Sequence, residues 1–255
     1  MIRNYLLLII VILLYGCSEQ ASRIFSQDID GSAAKFEDDT HGTYNSTYRP
    51  LSSENIIIKN AIIFDGNGNK LENTEIHFSD GLIQAIGQEL VAEGAEVIDA
   101  SGKYITPGII DIHSHMGVYP APSVRTSSDG NEATNPVTAE VWAEHSVWSQ
   151  DPQYKLALAG GVTTFHVLPG SANLFGGRGV TLKNVSSNTV PDMKFPNAPH
   201  SLKMACGENP KRVYSSRGPS TRMGNVAGYR QAWIEAENFK NSLESSPSRR
   251  NLRYE

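Results

Sequence analysis

The run Tyr104-Ile-Thr-Pro-Gly-Ile-Ile-Asp-Ile-His-Ser-His-Met-Gly117 decides the fold class of this chain. Side chains alternate across a β-strand, so His113 and His115 leave the same face and can grip one cation between them. Neutral imidazole is the commonest protein ligand for zinc and related divalent ions. Ile109, Ile110 and Ile112 read as a buried strand leading into the pair, and Pro107-Gly108 marks a sharp entry to it. Asp111 lies on the same face two residues before His113, where it is expected to orient an imidazole from behind the ligands. Gly117 ends the segment where a loop should open.

Pro-Gly-Ile-Ile-Asp-Ile-His-Ser-His at 107–115 resembles the first barrel strand of the amidohydrolase superfamily. Gly-Gly-Val-Thr-Thr at 160–164 is a second point of resemblance, and the loop at 169–179 resembles a signature of the exported, imidazolonepropionase-related branch. The resemblance implies an α/β protein in which a small N-terminal β-sandwich precedes a distorted (β/α)8 TIM-like barrel. It also implies a divalent metal, zinc in the first instance and one or two ions, with His113 and His115 as ligands. The implied activity is hydrolysis of a carbon–nitrogen bond in a small amide or cyclic amide. Families in this superfamily differ in the acid that joins the His pair: a carboxylated lysine from a later strand, or a glutamate from the third strand. Glu208 stands in the position of the second type, and Lys203 is the alternative. Taken without the family, Glu208 reads equally well as a loop carboxylate paired with Lys211 or Arg212.

The rest of the folded part follows in order. Residues 54–106 alternate short β-rich runs with turn signals, which predicts hairpins, and their order resembles the superfamily's small β-sandwich. Asp151-Pro152 can cap and start a helix that Gly160-Gly161 stops. The run 162–168 reads as a second strand carrying His166, either a substrate contact or a packed strand histidine. The segment 169–179 reads equally as an active-site loop in which Asn173 and Arg178 orient a polar or carboxylate group and as a tight structural turn with a solvated arginine. Residues 201–206 read as a third strand. Val226, Tyr229, Trp233, Ala236 and Phe239 then recur at helical spacing over 224–242, predicting an amphipathic helix whose aromatic stripe packs on the barrel.

The first 17 residues show an early Arg3, an apolar run and a closing Gly16, the pattern of an export signal too short to span a bilayer. Leu14-Tyr15-Gly16-Cys17 resembles a bacterial lipobox, although Tyr15 departs from the usual small residue. Cys17 is then the lipidation site and the bacterial outer membrane the destination. Residues 18–53 read as a solvated tether, leaving 54–106 for the sandwich and 107–255 for the barrel. Cys206 is the only other cysteine, so no intramolecular disulfide framework stabilises the fold. A net charge of −5 with both signs mixed argues against a nucleic-acid partner and leaves an oligomer open. A full barrel takes about 250 residues, so 107–255 is expected to hold only its first part. The later metal ligands and the general base are accordingly expected beyond Glu255, leaving the chain incomplete and inactive as it stands. The competing reading is a non-catalytic envelope lipoprotein that uses the half-barrel as a binding or scaffold module.

Overall fold

The structure is a computed structural model, and it describes residues 44–50 and 54–245. The export signal, the Cys17 lipidation site and most of the tether lie outside the described residues.

The first sheet has five strands: β1 (Ile56–Phe64), β2 (Lys70–Ser79), β3 (Leu82–Gly87), β4 (Glu96–Asp99) and β5 (Tyr104–Ile105). The order is β3-β2-β1-β4, with β5 also pairing β1. Both expected hairpins form, and their turns explain them. Asp65 accepts hydrogen bonds from the backbone N–H groups of Asn67 and Asn69, closing the β1–β2 turn. Asp80 and Gly81 both take positive φ, the conformation a two-residue turn between β2 and β3 requires. Ala61, Ile63, Ile76 and Ala100 form the buried cluster of this sheet. The described residues build one sheet here, with β4 and β5 running parallel to β1, and do not confirm the expected β-sandwich.

The second sheet has four strands in the order β6 (Ile109–Ser114), β7 (Val162–Val167), β8 (Phe175–Lys183) and β9 (Ser201–Met204). β6 and β7 are parallel as a barrel demands, whereas β8 is antiparallel to both β7 and β9. The mixed sheet corrects the expectation of a plain active-site loop over 169–179, because its second half is the start of β8. Gly176, Gly177 and Gly179 hide the apolar alternation that would have marked a strand. The helix α1 (Gln153–Ala159) packs on β7, with Tyr154 stacked on Phe165 at 5.2 Å. Asp151 begins it as expected, accepting the Gln153 N–H at 3.0 Å. The same buried carboxylate takes the N–H groups of Gly117 (2.9 Å) and Ala121 (3.2 Å), tying the loop after the His pair to the helix start. Gly117 sits at φ +83, and a Cβ there would meet the Tyr154 hydroxyl.

Two further expectations fail for one reason. Ile109, Ile110 and Ile112 are 53, 62 and 77% exposed, so β6 is an edge strand and not a buried one. The predicted amphipathic helix forms as α3 (Arg222–Ser245), after the short α2 (Glu208–Val213), yet Val226, Trp233 and Phe239 are mostly exposed. Tyr229 and Trp233 do reach Phe175 of β8, edge to face at 5.7 Å each. Local periodicity predicts an apolar face, but among the described residues too few elements lie over these faces to bury them.

The last part of the expected tether is bound into the fold. Thr47 donates its N–H to the Pro191 carbonyl at 3.0 Å, and Tyr44 donates its N–H to Glu144. Lys194 pairs with the buried Glu144 at 2.5 Å and also bonds the Tyr44 carbonyl.

Candidate active site

The two faces of the second sheet differ in chemistry. Phe165 and Val167 of β7 and Val180 and Leu182 of β8 are buried together with Val118, Tyr154 and Met193. The alternate positions carry His166, Thr181, Gly179, Ser201 and Lys203. Period two therefore sorts an apolar face, covered by α1, from a polar face.

His113 and His115 meet as the sequence predicts, with ring centroids 5.3 Å apart and planes at 85°. His115 Nδ1 lies 2.8 Å from the Leu168 carbonyl. A carbonyl only accepts, so Nδ1 donates, and in the neutral ring that tautomer leaves the lone pair on Nε2 that a metal ligand needs. Asp111 does not orient either ring; its carboxylate accepts the His113 backbone N–H at 3.0 Å and shapes the strand end instead. The orienting acceptor behind the ligands is thus Leu168, which sequence reasoning missed because it comes from the end of the neighbouring strand.

The third member of the group is Lys203. Its Nζ lies 3.0 Å from His113 Nε2, reaching from β9 across to β6, and the residue is only 8% exposed. Burial holds the Lys203 amine below its ordinary basicity, with no carboxylate offsetting the shift. The Lys203 charge, with burial and His115 adding to it, in turn holds His113 below the ordinary imidazole range, against a weaker pull from Asp111. Glu208 points elsewhere. It opens α2 with its side chain 73% exposed and pairs with Lys211 at 3.0 Å, the surface reading of that residue. Among the described residues no three of His, Cys, Asp and Glu gather as a metal group, Glu208 and the His pair included.

The three expected substrate contacts separate. His166 stays on the polar face, Nδ1 2.9 Å from Thr181 Oγ1 and Nε2 2.6 Å from Ser201 Oγ. Burial, then His200 and His113, hold its imidazole below the ordinary range. Arg178 alternates with Gly179 and so falls on the opposite face, its guanidinium 4.3 Å over the Trp142 ring. Asn173 is 1% exposed and donates to the Glu132 and Asn135 carbonyls, bracing the 131–138 segment. Both residues had a ligand role and a structural role open to them in the sequence. The structure gives each a structural partner.

No family profile matches the chain. Amidohydrolase tasK of Hapsidospora irregularis is 32% identical over 225 residues, covering 75% of this chain and 22% of that protein. A dihydroorotase of Caldanaerobacter subterraneus subsp. tengcongensis is 37% identical over 81 residues, 31% of this chain and 19% of its own length. The crystal structure of an amidohydrolase from Thermotoga maritima MSB8 superposes with a TM-score of 0.69 at 39% identity, over 76% of this chain and 50% of that one. The chain belongs to the amidohydrolase superfamily. The chain spans about a fifth of tasK and half of the Thermotoga protein. These relatives place it in the superfamily and not in the imidazolonepropionase-related branch in particular. Within the superfamily frame, the two strand-borne imidazoles suit a divalent ion by the chemistry of their donors. Lys203 had a signal in the sequence: it alternates with Ser201 on a short strand, so it shares a face with residues that point at the site.

Proposed function

We propose that this chain provides metal ligands of a hydrolase acting on carbon–nitrogen bonds of small amides. The observation that carries the reading is the meeting of His113, His115 and Lys203 on one face of the sheet. His113 and His115 would hold the ion. The Lys203 amine, favoured in its neutral form by burial, adds carbon dioxide to give a carbamate and a released proton, which turns a neutral donor into an anionic oxygen ligand. A divalent ion held there, zinc in the first instance, would supply Lewis-acid chemistry, polarising a carbonyl and acidifying water. Leu168 keeps His115 in the ligating tautomer, and the Asp111 carboxylate, accepting the His113 N–H, shapes the irregular end of the strand. No general base is assigned among the described residues.

The test is the zinc content of the purified chain by atomic emission, in the presence and absence of bicarbonate. Zinc near one equivalent that is lost in His113→Ala and His115→Ala, and that rises with bicarbonate only when Lys203 is present, supports the reading. A wild-type chain without zinc, or His variants that retain it, defeats it. The resemblance of Met1–Cys17 to a lipoprotein signal supports envelope anchoring as part of the same proposal. Labelled palmitate incorporated by a Cys17→Ser variant as strongly as by wild type would dismiss that part.

A further inference from the structure

The turn that follows the His pair brings one further aromatic ring to it. Tyr119 donates its backbone N–H to the His115 carbonyl at 3.0 Å and receives the Gln153 side chain on its own carbonyl at 3.0 Å. Gly117 and Ala121, two residues to either side, both give their N–H groups to the buried Asp151 carboxylate. The backbone that carries Tyr119 is thus fixed on both sides. Its ring meets His115 edge to face, with centroids 5.9 Å apart and planes at 81°.

The phenol itself lies in a slot made by two glycines. A Cβ on Gly130 would come within 2.2 Å of Tyr119 Cζ and 2.7 Å of its hydroxyl, and one on Gly170 within 2.5 Å of the same hydroxyl. The Gly170 N–H donates to the Gly130 carbonyl at 2.7 Å, which joins the two walls. At the inner end of the slot the Tyr119 hydroxyl donates to Asn131 Oδ1 at 2.7 Å, and Asn131 donates in turn to the buried Asn173 at 3.3 Å. Gly170 is two residues from Leu168, whose carbonyl holds His115 Nδ1. One short segment therefore fixes both the imidazole and the ring beside it.

A single hydrogen bond does not by itself fix an imidazole, because rotation about its Cβ–Cγ bond is soft. His115 has rings against it as well, His113 at 5.3 Å and Tyr119 at 5.9 Å, and these oppose that rotation. We infer that Tyr119 is a positioning residue that locks the His115 ring in the orientation set by Leu168, so that the ligand pair is preorganised before an ion arrives. The inference rests on the metal-centre reading for the role of His115 as a ligand, whereas the locking is a property of the metal-free chain.

The test compares the full wild-type chain with Tyr119→Leu, Tyr119→Phe, Gly130→Ala and the variant that combines Gly130→Ala with Tyr119→Leu. Heteronuclear NMR of the isotope-labelled, metal-free protein at about pH 8, above the ordinary imidazole range, reads the two His115 nitrogens. Competition with a fluorescent chelator reads zinc affinity. Wild type is expected to show two widely split His115 nitrogen resonances, one bearing the proton and one the lone pair. Tyr119→Leu removes the ring and Gly130→Ala drives it from the slot, so in both the splitting collapses toward the mean and zinc binds about tenfold more weakly. Tyr119→Phe keeps the ring and both wild-type values. The combined variant matches Tyr119→Leu, since the three atoms nearest the added methyl all belong to the part of the phenol that leucine lacks.

A wild-type splitting retained in Tyr119→Leu overturns the positioning role, as does a wild type whose His115 nitrogens are already averaged. Should Tyr119→Leu fail to fold by circular dichroism, Gly130→Ala gives the same decision. A collapsed splitting with unchanged zinc affinity overturns the preorganisation, because the lock would then not serve the ion. A wild-type chain that takes up no zinc overturns the metal-centre reading alone, and the nitrogen splitting still decides what Tyr119 does to His115.

Discussion

Replacing Asn173 by Asp changes one group on a side chain of nearly the same shape, and the structure sets the cost. Asn173 is 1% exposed. Its amide nitrogen lies 2.6 Å from the Glu132 carbonyl, 2.9 Å from the Asn135 carbonyl and 3.0 Å from Thr138 Oγ1. Its oxygen accepts from Asn131 at 3.3 Å. A carboxylate in that place only accepts, so two carbonyls lose their donor and face a negative charge. Each buried acceptor left unsatisfied costs about 1–3 kcal/mol, so Asn173→Asp is expected to lose about 3–5 kcal/mol at pH 7. That is a large part of the 5–15 kcal/mol of a typical domain (~). Urea unfolding at pH 7 and pH 4 measures it. The introduced carboxyl has its folded pKa raised by burial and by the facing carbonyls, so its protonated form regains one donor. The deficit is therefore smallest at low pH and grows as pH rises through that raised value. An Asn173→Asp chain with the wild-type urea midpoint at pH 7 refutes the bracing role. If it also binds amide probes more weakly, the substrate-contact role of Asn173 returns.

Lys203→Met is expected to abolish zinc retention, a loss of at least about 100-fold in affinity, whereas Glu208→Gln changes zinc affinity and stability by under about 0.5 kcal/mol; competition with a fluorescent chelator separates them, and the reverse pattern would restore Glu208 as the ligand. The imidazoles of His166 and His113 are held below the ordinary value of 6.5, so the unfolded chain binds protons first as pH falls. Stability is thus complete above about pH 6.5 and declines below it; urea midpoints should drop between pH 7.5 and 5.5, with a shallower drop in His166→Gln, and equal midpoints would contradict the shifts. Lys194→Ala removes the lysine paired with the Glu144 carboxylate, 1% exposed, and should cost about 3–5 kcal/mol in thermal unfolding. Adding Glu144→Gln should recover most of that loss, and a single variant as stable as wild type would show the pair to be dispensable.

The strands β6, β7 and β9, the helices α1 and α3 and the hairpins of the first sheet were legible because each rests on a local period or a local turn residue. β8 was not, since Gly176, Gly177 and Gly179 interrupt its alternation and only pairing with β7 and β9 makes it a strand. The exposed faces of β6 and α3 show the limit of periodicity: it says which face is apolar and not whether anything lies over it.

His113 and His115 could be paired from the sequence because the geometry that joins them is one strand's alternation, independent of everything else in the molecule. The superfamily was legible for the same reason, through a short run whose residues act together. The choice between Lys203 and Glu208, the opposite faces taken by Arg178 and Ser201, and the bond between His166 and Ser201 belong to the tertiary structure. Each depends on the register between strands up to 90 residues apart, and a one-residue slip in that register exchanges the two faces of a strand.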